Sequence, residues 1–163
     1  MRCWSFHGQE KEDVVKAAFI EKFTHHIEWP NSPKADSSQL FLIIVVGDQS
    51  FYELMQKAYD KRNLKGKQVK VVKQKKLSGN ENAGIIYIGE EKVEHIKKAK
   101  LACQQQPCLI LSEFQGFAEE GVHINFYITK DETVHFEMNK IAMDNIGFKQ
   151  DFLLVEFAKI VSN

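Results

Sequence analysis

Hydrophobic positions follow a helical rhythm at the start of the chain and a strand rhythm soon after. From Glu12 to Trp29 apolar residues recur at helical spacing. Val15, Phe19, Phe23 and Ile27 form one i, i+4 row, and Ile20 widens the stripe. Pro30 and Pro33 stop that helix, and the polar stretch Asn31 to Ser38 reads as a loop. Leu40 to Val46 is then apolar at every position, as in a strand buried on both faces of a parallel sheet covered by helices. It closes on Gly47-Asp48. Ser50 and Glu53 have capping-box spacing, and Phe51, Leu54, Met55 and Ala58 supply the buried face of a second helix.

The alternation continues. Val69, Val71 and Val72 lie in a lysine-rich strand from Lys67 to Gln74, and a loop with Gly79 and Asn82 leads to the apolar strand Gly84 to Ile88. Glu90 and Glu91 open the next helix and Lys97, Lys98 and Lys100 close it, a charge order that suits the helix dipole. Pro107 ends it, and Cys108 to Leu111 is a further strand. His123 to Ile128 and Val134 to Met138 alternate apolar with polar around Lys130-Asp131-Glu132, which predicts a hairpin with one packed face. Gly147 closes a short helix, and Phe152, Leu153, Phe157, Ile160 and Val161 make a last one. The pattern predicts an α/β protein. The expected architecture is a single three-layer α/β/α sandwich whose mixed, mostly parallel sheet has about six strands and a C-terminal β-hairpin. Residues 1–11 are expected to be a leader remnant or a disordered N-terminus, and residues 12–163 one domain.

Composition narrows the function classes. The 163 residues are 44% hydrophobic and 27% charged, enough for one ordinary core. Lys plus Arg equals Asp plus Glu at 22 each, so no global field draws the chain to nucleic acid or anionic lipid. The longest apolar run, Leu40 to Val46, is far below the ~20 residues that cross a bilayer. Met1 to Gly8 lacks the apolar region of a secretory signal, so export would require a signal absent from this chain.

Catalytic and metal chemistry finds little support. His25 and His26 are adjacent on a helix and point about 100° apart, and His7, His95, His123 and His135 lack ligand spacing. His123 and His135 could meet across the hairpin as a structural pair. No nucleophile elbow exists, and Cys103 follows a helix C-terminus, where the dipole disfavours a thiolate. Val46 to Ser50 has strand–turn–helix context but a single glycine, so it is neither a dinucleotide nor a P-loop fingerprint. Asp48, Gln49, Ser112 and Glu113 nevertheless stand at strand ends, where open α/β sheets hold small ligands. Lys61, Arg62, Lys65, Lys67, Lys70, Lys73, Lys75 and Lys76 read as an edge whose outward lysines block unwanted pairing, in preference to an anion patch. Cys103 and Cys108 flank Pro107. They are free thiols in a reducing compartment and a local structural disulfide in an oxidising one, with Cys3 left over.

Four blocks together carry a family resemblance. Val15 to Phe23 running on to Ile27-Glu28-Trp29-Pro30 is similar to an opening helix "K-A-x-F-I-Y-x-F" that ends in "x-W-P". Leu42 to Asp48 is a strand closing on Gly-Asp, Gly116 to Phe126 is similar to "G-F-A-x-x-G-x-x-I-N-F", and Phe136 to Asn139 to "F-E-I-N". In order and spacing, from about residue 12 to 161, they resemble the YfiR family. Phe157 departs from an expected leucine, Glu21 stands where an aromatic residue is common, and the strand Ile85 to Ile88 lacks a preceding cysteine found in some relatives. A second disulfide is therefore not implied.

The resemblance implies a non-catalytic, periplasmic α/β regulator, dimeric and without cofactor. Its implied partner is the periplasmic part of a membrane signalling protein, a diguanylate cyclase or sensor kinase, so that contact alters cyclic-di-GMP output. The motif positions Lys16, Phe19, Phe23, Trp29, Gly47, Gly116, Gly121, Asn125, Phe136, Glu137 and Asn139 then have mainly structural roles. The alternative is a small-molecule or nucleotide-binding α/β protein, an enzyme included, that uses the strand-end cleft.

Overall fold

The computed structural model describes residues 4–30 and 40–162, so the predicted loop at 31–38, with Pro33, lies outside the described residues. Helix α1 spans Trp4–His26, beginning before the predicted start at Glu12. Its buried face is rotated from the predicted row. Asp13, Lys16, Ala17, Ile20, Phe23, Thr24 and Ile27 point inward, while Val15 is 41% exposed. Two charged residues thus occupy the inner face, which is why a purely apolar stripe misplaced it. The chain leaves the helix three residues before Trp29, because Ile27–Glu28 (β1) pairs antiparallel with Lys149–Gln150 (β9) in a two-stranded ribbon.

The main sheet is built around Leu40–Val46 (β2), flanked by Lys67–Gln74 (β4) and Ile85–Ile88 (β5), both parallel to it. Leu109–Ser112 (β6) and Ile124–Ile128 (β7) extend it in parallel, Val134–Met138 (β8) turns back against β7, and Lys159–Ile160 (β10) pairs parallel with β8. Asn63–Leu64 (β3) lies antiparallel beside β4, giving eight strands in the order β10-β8-β7-β6-β5-β2-β4-β3. The sheet is thus mostly parallel, with more strands than the six predicted. The additions are two-residue pieces too short to show a periodicity.

The apolar run of β2 is accounted for by its two faces. Ile43 and Val45 join a core with Ile20 and Phe23 of α1, Phe51 and Met55 of Gln49–Tyr59 (α2), and Met143 of Lys140–Ile146 (α4). Ile44 and Val46 join a second core with Ile96, Ala99 and Ala102 of Val93–Gln105 (α3).

Local signals were partly displaced. The cap of α2 is Asp48, whose Oδ1 accepts from Phe51 N–H at 2.9 Å, while Ser50 merely donates its hydroxyl to the same oxygen. A strand that ends at Val46 starts the helix two residues earlier than a Ser50 box would. In α3, Lys97, Lys98 and Lys100 sit mid-helix and no basic residue occupies the last turn. The lysine-rich β4 is one strand in from the edge, yet β3 covers only Lys67 and Gln68. The predicted final helix divides: Phe152–Phe157 (α5) stops, and β10 follows, with Val161 N–H donating to Met138 O at 2.9 Å.

Candidate binding site

Lys16 is the residue around which the site forms. It stands one helical turn after Asp13 on the inner face of α1, and both are buried, at 2% and 4% exposure. Asp13 Oδ1 accepts from Gln9 Nε2 at 2.9 Å and from Lys16 Nζ at 3.3 Å. Lys16 Nζ also donates to Glu113 Oε2, just past the end of β6. Tyr87 of β5 donates its hydroxyl to that same oxygen at 3.0 Å. Helix α1 and two strand ends are therefore tied by one ammonium and one carboxylate.

Electrostatics follow from burial. Burial opposes the Lys16 charge, but the adjacent Glu113 and Asp13 carboxylates outweigh it, so the lysine is held above its ordinary value. Burial raises Asp13 despite Gln9 and Lys16, and burial with the Glu113 charge drives Tyr87 well upward. Lys16 is consequently a fixed cation and an unsuitable nucleophile. Beside it lies a cleft of about 210 Å³ lined by Gln9, Glu12, Lys16, Glu113, Phe114, Phe126, Tyr127 and Ile128.

The four predicted strand-end residues do not all meet there. Asp48 is occupied as the α2 cap, Ser112 donates its hydroxyl to Ile88 O at 2.7 Å, and Gln49 donates to Glu53 and accepts from Lys73. Glu113 alone of the four lines the cleft. Sequence reasoning assigned Lys16 a structural part and passed over Asp13 and Tyr87. The usable signal was the Asp13/Lys16 pair at i, i+3 leading the row Ala17, Ile20, Phe23.

The remaining motif positions hold the hairpin and its preceding loop. Asn125 donates to Phe114 O at 2.9 Å, and Asn139 donates to Ala118 O at 2.8 Å while capping α4 through Ala142 N–H. Among the described residues the buried Asn125 Oδ1 has no hydrogen-bond partner. Glu137 accepts from Lys159 at 3.1 Å. Phe136 packs edge-on to Phe19 and Phe23, and Trp29 donates to Gly84 O at 3.2 Å and stands perpendicular to Phe148. Gly47 and Gly121 have φ of 78° and 110°, and a Cβ there would meet Glu90 Cβ at 2.7 Å and Lys100 Nζ at 2.9 Å; Gly116 turns the same loop with φ 85°.

His123 and His135 do not meet. His135 pairs with Tyr127, whereas His123 is buried and its Nδ1 accepts from Ile110 N–H at 3.0 Å. His26 Nδ1 contacts Asp151 at 2.5 Å. Among the described residues no group of three or more His, Cys, Asp or Glu is arranged to hold a metal, and no helix is long and apolar enough to cross a membrane. Cys103, expected just after the helix, lies in the last turn of α3, and it is joined in a disulfide to Cys108 beyond the helix end at Gln105, with Cα atoms 5.0 Å apart. Helix α5 buries Leu154 in the core with Val155 packed against it, and leaves Phe152, Leu153 and Phe157 exposed at 73%, 56% and 76%.

A family model described as YfiR/HmsC-like matches residues 13–159, from Asp13 of the ion-pair cluster to the first residue of β10. The chain belongs to the YfiR/HmsC-like family. Comparison with curated proteins yields no match. YfiR/HmsC-like proteins are regulatory in kind rather than catalytic. In this member the matched span holds both cores, the disulfide and all of the cleft lining except Gln9 and Glu12.

Proposed function

We propose that residues 12–163 form a single three-layer periplasmic regulatory domain, which controls a membrane signalling protein of the diguanylate-cyclase type by protein–protein contact and performs no catalysis. The observation that carries this reading is the YfiR/HmsC-like match over residues 13–159. Two features support it. A Cys103–Cys108 disulfide suits an oxidising compartment. Exposed Phe152, Leu153 and Phe157 on one short helix give an apolar face of the kind that marks interaction surfaces.

The test is capture from native envelope membranes with the intact, oxidised domain as bait. Recovery of a membrane cyclase, with cellular cyclic-di-GMP falling when the domain is over-produced, is the expected result. Turnover of a substrate by the purified domain, or capture of no membrane signalling protein, would overturn it.

A further inference from the structure

We propose that the cleft beside Lys16 binds a small organic cation, a protonated primary amine on a short aromatic or apolar body. This site is independent of the partner contact proposed above. Charge selects the sign of the ligand. Lys16 is already compensated by Asp13 and Glu113, so it offers nothing to an anion, and among the described residues it is the only basic one in the lining. The lining also holds Glu12, which is half-buried and has no ion pair or side-chain hydrogen bond among the described residues. Glu113 uses one oxygen, Oε2, for both Lys16 and Tyr87, which leaves Oε1 for a further donor. A ligand ammonium bridging Glu12 and Glu113 would neutralise the surplus negative charge.

The backbone adds an acceptor. β6 pairs with β7 only through Leu111–Ile124 and Ser112–Asn125, whereas β8 follows β7 to Ile128. Hydrogen bonds from Asn139 N–H to His123 O and from Thr129 N–H to Thr133 O fix the alternation of the β7–β8 ladder. That alternation turns the Phe126 carbonyl away from β8, to the side where Glu113 and Phe114 leave the sheet. Phe114 and Phe126 supply an apolar wall for the body of such a ligand, while the Tyr127 ring is already stacked on His135 with Lys159 Nζ 5.7 Å from its centroid. At about 210 Å³ the cleft is smaller than the ~300–1,000 Å³ of drug-sized pockets, which favours a ligand of few atoms.

The experiment is isothermal titration calorimetry of the full oxidised chain with 2-phenylethylamine, against 2-phenylethanol and phenylacetate as neutral and anionic matches. One-site binding of the amine with a dissociation constant at or below about 1 mM is expected, with both controls weaker by roughly tenfold or more. Glu113→Gln should weaken the amine roughly 10- to 100-fold. Because that change also disturbs Lys16, Glu12→Gln provides a second variant at a residue without ion pair or side-chain hydrogen bond among the described residues, and it should weaken binding by at least about threefold. Equal or tighter binding of phenylacetate, no saturable binding of the amine, or affinity unchanged in folded Glu12→Gln would overturn the proposal.

Discussion

The more deeply buried of two buried imidazoles among the described residues, His123, gives this fold a defined acid sensitivity. His123 is 2% exposed and uses Nδ1 as an acceptor for Ile110 N–H, a role only the neutral ring can fill. Burial, with the Lys100 charge adding to it, pushes its pKa down to about 3. The unfolded chain protonates this ring near its ordinary value of about 6.5, so below that pH the unfolded state binds a proton that the folded state refuses. Stability therefore falls as pH drops from about 6.5 towards 3, by about 1.4 kcal/mol per pH unit from this residue. Urea unfolding between pH 7 and pH 4 should show it, and His123→Gln, whose side-chain oxygen can still accept, should flatten the slope by one proton's worth. Equal slopes for the two proteins would place the titration elsewhere. Lys16 behaves in the opposite way: paired on two sides, it remains charged throughout this range.

At the scale of elements, the junction between α3 and β6 is stapled. The disulfide closes a loop of sequence separation 5 around Pro107, so by chain entropy it contributes about 2 kcal/mol. Cys103→Ala with Cys108→Ala should lower stability by about that amount, plus the loss of two buried sulfurs. Wild type in reductant should show the entropic part alone, and the variant should no longer respond to reductant. An unchanged wild-type urea midpoint on reduction would show that the staple adds nothing. The same scale shows what could be read in advance. β2 was legible because seven consecutive apolar residues must be buried on both faces, and the hairpin because its alternation matches the pleat. The inner face of α1 was misplaced because Asp13 and Lys16 are polar letters in buried positions. β10 was hidden inside an apparent helix because Ile160 and Val161 continue the apolar spacing of α5. Of the cleft, the strand-end reading picked out only Glu113; Phe114 is its chain neighbour, and the rest reach it from α1 and β7, far apart in sequence.

For the whole molecule, the question is where a second protein can dock without disturbing either core. The helices α1, α2 and α4 cover one face of the sheet and α3 the other, so most large apolar side chains are already committed. α5 is different. It is fastened by Asp151, which caps Leu154 N–H at 3.0 Å and contacts His26, and by Leu154 in the core, while Phe152 and Phe157 project into solvent. Residues so exposed contribute little to folding, so Phe152→Ser with Phe157→Ser should change stability by no more than about 0.5 kcal/mol. If α5 is the partner surface, the same double variant should lose capture of the membrane protein while its thermal melt stays close to wild type. Light scattering separates the rival occupant, a second copy of the chain. A variant that turns from dimer to monomer yet still captures its membrane partner would assign α5 to self-association and move the regulatory contact to another face. A large drop in melting temperature would mean instead that these phenylalanines support the fold and that the exposed face is not an interface.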